Sequence, residues 1–167
     1  MSKSTGLAVG ADGAVIDTQK DKYLTFHLGG EEYAIEIRHV TEIIGMQDIT
    51  EVPDMPAYLK GVINLRGKVI PVIDVRSRFG MAEIEYGPRT CNIIIKLDDN
   101  LVGLIVDEVS EVINITADAV DEPPKTMKGT RSRFIQGFGK VEGGVKILLD
   151  VERLLGDEEK EMIGELS

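Results

Sequence analysis

Tryptophan is absent from these 167 residues, and aromatics make up only 5% of the chain, which argues against a site that stacks sugars or bases. A single cysteine, Cys91, leaves no disulfide framework and no thiolate metal site. His27 and His39 are the only imidazoles, and neither lies with acids, Ser or Cys at metal or triad spacing. No run of about 18 apolar residues offers a membrane span. Positive charge is short as well: 19 Lys and Arg stand against 29 Asp and Glu, a net charge of −10. Such a surface repels phosphate backbones. The densest basic stretch, residues 125–133, is offset by Asp118, Asp121 and Glu122 just before it. The first twelve residues hold only a short, Gly-broken apolar segment ending at Asp12, so they do not read as a secretory signal, and the chain reads as cytoplasmic.

Catalytic patterns are missing too. Gly137-Phe-Gly-Lys-Val-Glu-Gly-Gly144 lacks the Gly-Lys-Ser/Thr ending of a phosphate loop. Asp74 and Asp150 precede short helical turns, where capping explains them. The residues therefore read as a protein that is not an enzyme and needs no cofactor.

What the chain does have is repetition. Residues 58–80 return 76 positions later as residues 134–156, with 6 identities in 23: Gly61/Gly137, Gly67/Gly143, Val69/Val145, Asp74/Asp150, Val75/Val151 and Gly80/Gly156. Average residue usage would give roughly one or two. A second block, residues 23–44, returns 69 positions later as 92–113, with Leu28/Leu97, Val40/Val109, Glu42/Glu111 and Ile44/Ile113 identical. Block order is kept, so two related modules stand in tandem. Each is marginal alone at this size, so they are expected to share an interface.

Residues 1–20 are small, polar and aperiodic and read as a disordered arm. Residues 21–85 form the first module, 86–156 the second, and 157–167 an acidic, Met- and Ile-bearing terminal helix. Within each module, alternating apolar residues give two hairpins. Val40, Ile43 and Ile44, and their counterparts Val109, Val112 and Ile113, have the spacing of a short helical face. Residues 118–133 are the least regular and read as a mobile loop. The fold class is all-β with a few short helices, and five short strands per module close into a small barrel. Which barrel owns each strand stays open, because homologous neighbours can exchange elements.

The copies differ in one telling place. Asn64-Leu-Arg-Gly67 carries Asn and Arg where the second copy has Lys140 and Glu142. Arg66 is a rigid charged fork suited to interfaces. Glu42 lies where this arginine is within reach, so a surface ion pair presenting both groups to a partner is expected. Pro71, opposite Ile147, cannot donate to a ladder and marks an edge or bulged strand.

Lys60-Gly-Val-Ile-Asn-Leu-Arg-Gly-Lys-Val-Ile-Pro-Val-Ile-Asp-Val75 resembles the signature of the CheW family of bacterial chemotaxis coupling proteins. Glu32-Tyr-Ala-Ile-Glu-Ile37, Val102-Gly-Leu-Ile-Val-Asp-Glu-Val-Ser-Glu-Val112 and Leu148-Leu-Asp-Val-Glu-Arg-Leu-Leu155 support it, and the likeness runs from about Tyr23 to Leu155. The resemblance implies two tandem SH3-like five-stranded barrels sharing an interface. It also implies a non-enzymatic adaptor between chemoreceptor cytoplasmic tips and the regulatory domain of the histidine kinase CheA. Such a protein is cytoplasmic, recruited to membrane-associated receptor arrays without inserting, and monomeric when free; ring assemblies with the kinase domain stay open. By position, Glu42 and Arg66 match coupling residues, and Val40, Val109 and Val112, which from the residues alone read as ordinary core unless the two modules leave a groove there, match a receptor-facing apolar strip. The first barrel around Asn64, Gly67, Val69, Pro71 and Ile73 matches the kinase-facing surface. The rival readings are a nucleic-acid-binding or a small-molecule-binding double barrel.

Overall fold

The structure, a computed structural model of the chain, describes residues 7–9, 15–17 and 19–155. Leu7–Val9 (β1) and Val15–Asp17 (β2) pair antiparallel in a sheet of their own. The reading of 1–20 as a disordered arm therefore does not hold for these two segments, whose Val and Ile suit a strand. The helix expected at 157–167 lies outside the described residues.

From Lys22 onward the chain runs as hairpins. The first copy gives β3 (Lys22–Leu28), β4 (Glu31–Glu36), β5 (Val40–Gly45), β6 (Leu59–Leu65), β7 (Lys68–Asp74) and one turn of helix, α1 (Val75–Arg78). The second gives β8 (Cys91–Leu97), β9 (Asn100–Val106), β10 (Glu108–Asn114), β11 (Val120–Asp121), β12 (Ile135–Val141), β13 (Gly144–Leu149) and a 3-10 turn at Val151–Leu154. Asp74 caps α1 by accepting from the Ser77 amide at 3.2 Å, and Asp150 accepts from the Glu152 amide at 3.1 Å in the matching turn. Within 118–133, β11 and a 3-10 turn at Thr130–Phe134 are ordered elements, so that stretch is more regular than its composition indicates.

The two short helices expected at 40–44 and 109–113 are strands. Their spacing of three comes from bulges: the register slips between Val40 and Glu42 in β5, and between Val109 and Val112 in β10. An extra residue in one strand turns the next side chain back to the face already used. Val40 and Ile43 thereby reach one core cluster, while Ile44 reaches another. In β10 the buried Thr25 hydroxyl fills the bulge, donating to the Glu111 carbonyl at 2.9 Å and accepting from the Glu111 amide at 3.1 Å.

Strand order shows a reciprocal exchange. One sheet runs β5-β8-β9-β7-β6 and the other β10-β3-β4-β13-β12-β11. Each copy's opening hairpin thus sits in the sheet of its sister, with β9 parallel to β7 and β4 parallel to β13. The boundary between sequence modules at 85/86 is therefore not the boundary between sheets. The sheet holding β6 and β7 is here the first barrel, and that holding β12 and β13 the second.

Each ring closes through a short return strand. Thr50 bridges Val62 in the first barrel, and Asp121 faces Phe138 in the second. Those closures explain a repeated glycine. A Cβ on Gly61 would lie 2.1 Å from the Thr50 carbonyl oxygen, and one on Gly137 would lie 2.9 Å from that of Asp121.

Alternate faces of the strands feed different cores. Ile63, Ile70, Val72, Ile94 and Ile105 fill the first barrel, and Tyr23, Ala34, Ile115 and Leu148 fill the second. The largest cluster takes residues from both sheets, among them Phe26, Ile73, Ile93 and Ile95, and so lies between the barrels. A chain of rings, Phe26–Tyr33–Phe79–Phe134, threads it with centroids 6.0, 5.5 and 5.5 Å apart. β3 and β8 are covered on both faces, which is why β8 reads Ile93-Ile94-Ile95 rather than alternating.

Candidate functional site

The β6–β7 turn is built to hold one side chain out. Arg66 and Gly67 have φ of 52° and 84°, the two left-handed residues of a tight type I′ hairpin turn. The second position has its customary glycine, but arginine in the first carries the Cβ strain of left-handed backbone. Asn64 offsets this locally: its side-chain oxygen accepts from the Gly67 amide at 2.8 Å. Arg66 then donates through Nη2 to the Glu42 carboxylate, 24 residues earlier on β5, a strand with which β6 and β7 share no ladder.

The pair forms as the residues indicated, but it is lopsided. The Arg66 side chain is 63% exposed and that of Glu42 only 17%. Glu42 is thus a mount for the arginine rather than a second group on display. An ion pair this open to water contributes only about 0–1 kcal/mol to folding.

Of the other residues matched to the kinase-facing surface, Asn64 and Gly67 are exposed and shape the turn, and Val69 is 44% exposed beside it. Pro71 and Ile73 are buried and cannot touch a partner directly. Pairing of β7 with β9 begins only at Val72, so residues 68–71 are held on one side alone, by β6, and a proline fits there.

Val40, Val109 and Val112 do not make one exposed strip. Val40 is 8% exposed within the inter-barrel cluster, Val109 packs against that cluster from β10, and Val112 is 51% exposed. The bulges account for this: Val40 and Val109 are the inward residues of matching bulges on the two barrels, and Val112 lies just past the second.

One clamp escaped the sequence reading. Arg76 on α1 forks onto Asp107, with Nε to Oδ1 at 2.7 Å and Nη2 to Oδ2 at 2.6 Å, and the Gly29 amide donates to the same carboxylate at 2.8 Å. It joins α1, the β9–β10 link and the β3–β4 turn. Burial alone would raise the Asp107 carboxyl, but the Arg76 and Gly29 hydrogen bonds outweigh it and hold it below the ordinary range. Nothing short-range could reveal a contact 31 residues apart. A second network hangs on the buried Asp74 carboxylate, which accepts from the Tyr86 hydroxyl at 2.7 Å; burial first, then that carboxylate, pushes the phenol well up. Among the described residues, no group of three or more His, Cys, Asp or Glu is placed to hold a metal ion, and no helix is long and apolar enough to cross a membrane.

The CheW-like domain family matches residues 22–159. The chain belongs to that family. It is 35% identical over 147 residues to a chemotaxis protein CheW of Klebsiella aerogenes, covering 88% of this chain and 89% of that one. It is 36% identical over 138 residues to a chemotaxis protein CheW of Bacillus subtilis, covering 83% and 88%. The crystal structure of the scaffolding protein TtCheW from Thermoanaerobacter tengcongensis superposes with a TM-score of 0.78 at 34% identity, over 86% of this chain and 97% of that chain. Within the CheW-like family the tandem SH3-like barrels are the shared frame, and the role such membership assigns is that of a chemotaxis scaffold or adaptor.

Proposed function

We propose that the chain couples chemoreceptor cytoplasmic tips to the histidine kinase CheA, working without catalysis in the cytoplasm at membrane-associated receptor arrays. The kinase's regulatory domain meets the first-barrel tip, with Arg66 and Val69 as contacts and Asn64, Gly67 and Glu42 as their mount. The receptor meets the margin of the inter-barrel core, with Val112 as the exposed contact and Val40 and Val109 as its floor. The observation that carries this reading is the Glu42–Arg66 pair: an exposed arginine, held in strained backbone and braced by a mostly covered acid. The scaffold does not require it, since the sister turn has glutamate there. Arranged charges of this kind set orientation and exclude wrong partners more than they stabilise a fold.

The test is a reconstituted assembly of receptor fragment, kinase and this chain. Arg66→Ala should weaken kinase-domain binding by about 1–3 kcal/mol and lower kinase activation in step, with receptor binding retained. Val112→Asp should do the reverse. Full activation with Arg66→Ala would overturn the assignment of the tip.

A further inference from the structure

Among the described residues, the chain passes between the two barrels twice. The first passage, from β4 to β5, is the 3-10 turn at Ile37–His39, and the second, from β9 to β10, is Asp107 alone. By the repeat spacing of 69, Arg38 in the first passage is the counterpart of Asp107 in the second. One passage is fastened and the other is loose.

The fastening prolongs a ladder. β7 and β9 run parallel through the pairs Val72–Gly103, Ile73–Leu104 and Asp74–Ile105, and Arg76 and Asp107 each stand two residues further on. Their forked contact continues the seam beyond the last pair. Gly29, in the β3–β4 turn of the second barrel, donates to the same carboxylate, and Arg76 Nη1 donates to the Ala82 carbonyl at 3.1 Å. The arginine is 13% exposed and the carboxylate 21%, so water competes little for the fork. In the sister seam the parallel ladder of β4 and β13 ends two pairs earlier, at Leu148–Ala34, and Arg38 turns to Glu36.

The fork joins the strands behind the two contact surfaces. β7 starts at Lys68, beside the Arg66 turn, and runs straight into α1, which carries Arg76. Asp107 directly precedes β10, whose Val112 is exposed. β10 is an edge strand paired with β3 alone, and all its side chains are half-buried or exposed. Apolar contacts between the barrels are non-directional, and packed layers of that kind slide in small shear steps. A two-bond fork fixes orientation as well as distance.

We propose, resting on the receptor and kinase surfaces assigned above, that Arg76 is a positioning residue for the passage of signal between them. By holding Asp107 it makes β10 and β7 move as one body, so a receptor's grip on β10 alters the kinase-facing tip. Without the fork the edge strand yields locally, and each partner binds as it would alone.

Binding linkage on the full chain tests this. Affinity for the kinase regulatory domain is measured by calorimetry with and without a saturating receptor fragment. In the parent the two dissociation constants should differ by at least about fivefold, the low end of ordinary allosteric coupling. Arg76→Ala should bring their ratio close to one while both binary affinities stay close to the parent's. Asp107→Asn, which keeps its shape and an acceptor for Gly29, should do the same. Arg38→Ala, at the loose passage, should keep the parent's ratio. A parent ratio of one, or a ratio unchanged in both fork variants, would overturn the proposal and leave the two surfaces standing. Binary binding lost in both fork variants would also overturn it, since the fork would then belong to the fold. A parent that binds neither partner would overturn the surfaces themselves, and this use of the fork with them.

Discussion

At position 66 the first barrel carries an arginine in left-handed backbone; at the equivalent position 142 the second carries a glutamate. The described non-glycine residues with positive φ are Asp21, Asp54, Arg66 and Asp98, so Glu142 has ordinary backbone and only Gly143, at 86°, is left-handed in that turn. The second copy therefore shows what the ribbon needs to close, and arginine in strained backbone is not part of it. Partners diverge in the same way. Glu42 is repeated as Glu111, but Glu111 would face a like charge at the sister tip, and there Lys140 pairs instead with Asp121 at 3.5 Å. The backbone frame was duplicated and kept, while the charges at one tip were rebuilt. Strain retained at an exposed point, with no return in stability, is where function is to be sought.

The sharpest way to strain that comparison is at the ring closures. Gly61, with φ of 146°, would place a Cβ 2.1 Å from the Thr50 oxygen, whereas Gly137 leaves 2.9 Å to that of Asp121. Both substitutions push on backbone, which cannot swing aside. Gly61→Ala should cost about 3 kcal/mol or more, some 6–12 °C in melting temperature for a chain this size. Gly137→Ala should cost about 1–2 kcal/mol. Equal losses would mean that the two seams are equally tight and that the copies have not diverged there.

The next test uses the clamp. Arg76 and Asp107 correspond, by the repeat spacings, to Glu152 and Arg38, the same pair with signs reversed. Only the first pair is formed as a fork; Arg38 turns instead to Glu36 at 3.1 Å and is largely exposed. Arg76→Ala should therefore cost about 1–3 kcal/mol, because it leaves a partly covered carboxylate without its main partner. Arg38→Ala should fall within about 0.5 kcal/mol of zero. The clamp also has a pH signature. Asp107 has a lowered folded value, so its contribution is complete above the ordinary Asp value of about 3.9 and is lost as pH falls through the folded one. Acid unfolding followed by circular dichroism should show the Arg76→Ala defect shrinking below pH 4. A defect constant down to pH 2 would assign the Arg76 effect to packing rather than charge.

These residues also show where sequence reading stops. The hairpins, the α1 turn with its Asp74 cap and the glycine pairs were legible, because turn chemistry and two-residue alternation are local. The two expected helices failed for a physical reason: a bulge turns alternation into a spacing of three, and a period of three in six residues is also what a helical face looks like. The hairpin exchange was illegible because each copy offers the other an equally good mate. Repetition reveals homology and hides which strands pair. At the site, Glu42 and Arg66 could be named from spacing and resemblance, but not their unequal exposure; Val40 and Val109, which read as core from the residues alone, belong to or pack against the inter-barrel cluster, and Val112 is exposed. The Arg76–Asp107 fork has no local signal at all.

A small effect on stability is expected at the residue on which the functional reading leans most. Arg66→Gly converts the first turn to the conformational freedom its backbone asks for. It removes an ion pair worth about 0–1 kcal/mol, since one partner is mostly in water. It also relieves left-handed strain of about 1–2 kcal/mol, against about 0.4–1 kcal/mol for the extra freedom that glycine gives the unfolded chain. The sum runs from a loss of about 1 kcal/mol to a gain of about 1.6 kcal/mol by these magnitudes, so a melting curve should fall little or rise slightly. Glu42→Ala should be equally mild and should lower kinase coupling less than Arg66→Gly does, because the arginine stays in place without its brace. If Arg66→Gly instead lowers the melting temperature by several degrees, the arginine is part of the fold and its difference from Glu142 says nothing about partners. If both variants melt like the parent while kinase activation falls only in the first barrel's variants, and Glu142→Ala leaves activation unchanged, the asymmetry between the two tips is functional.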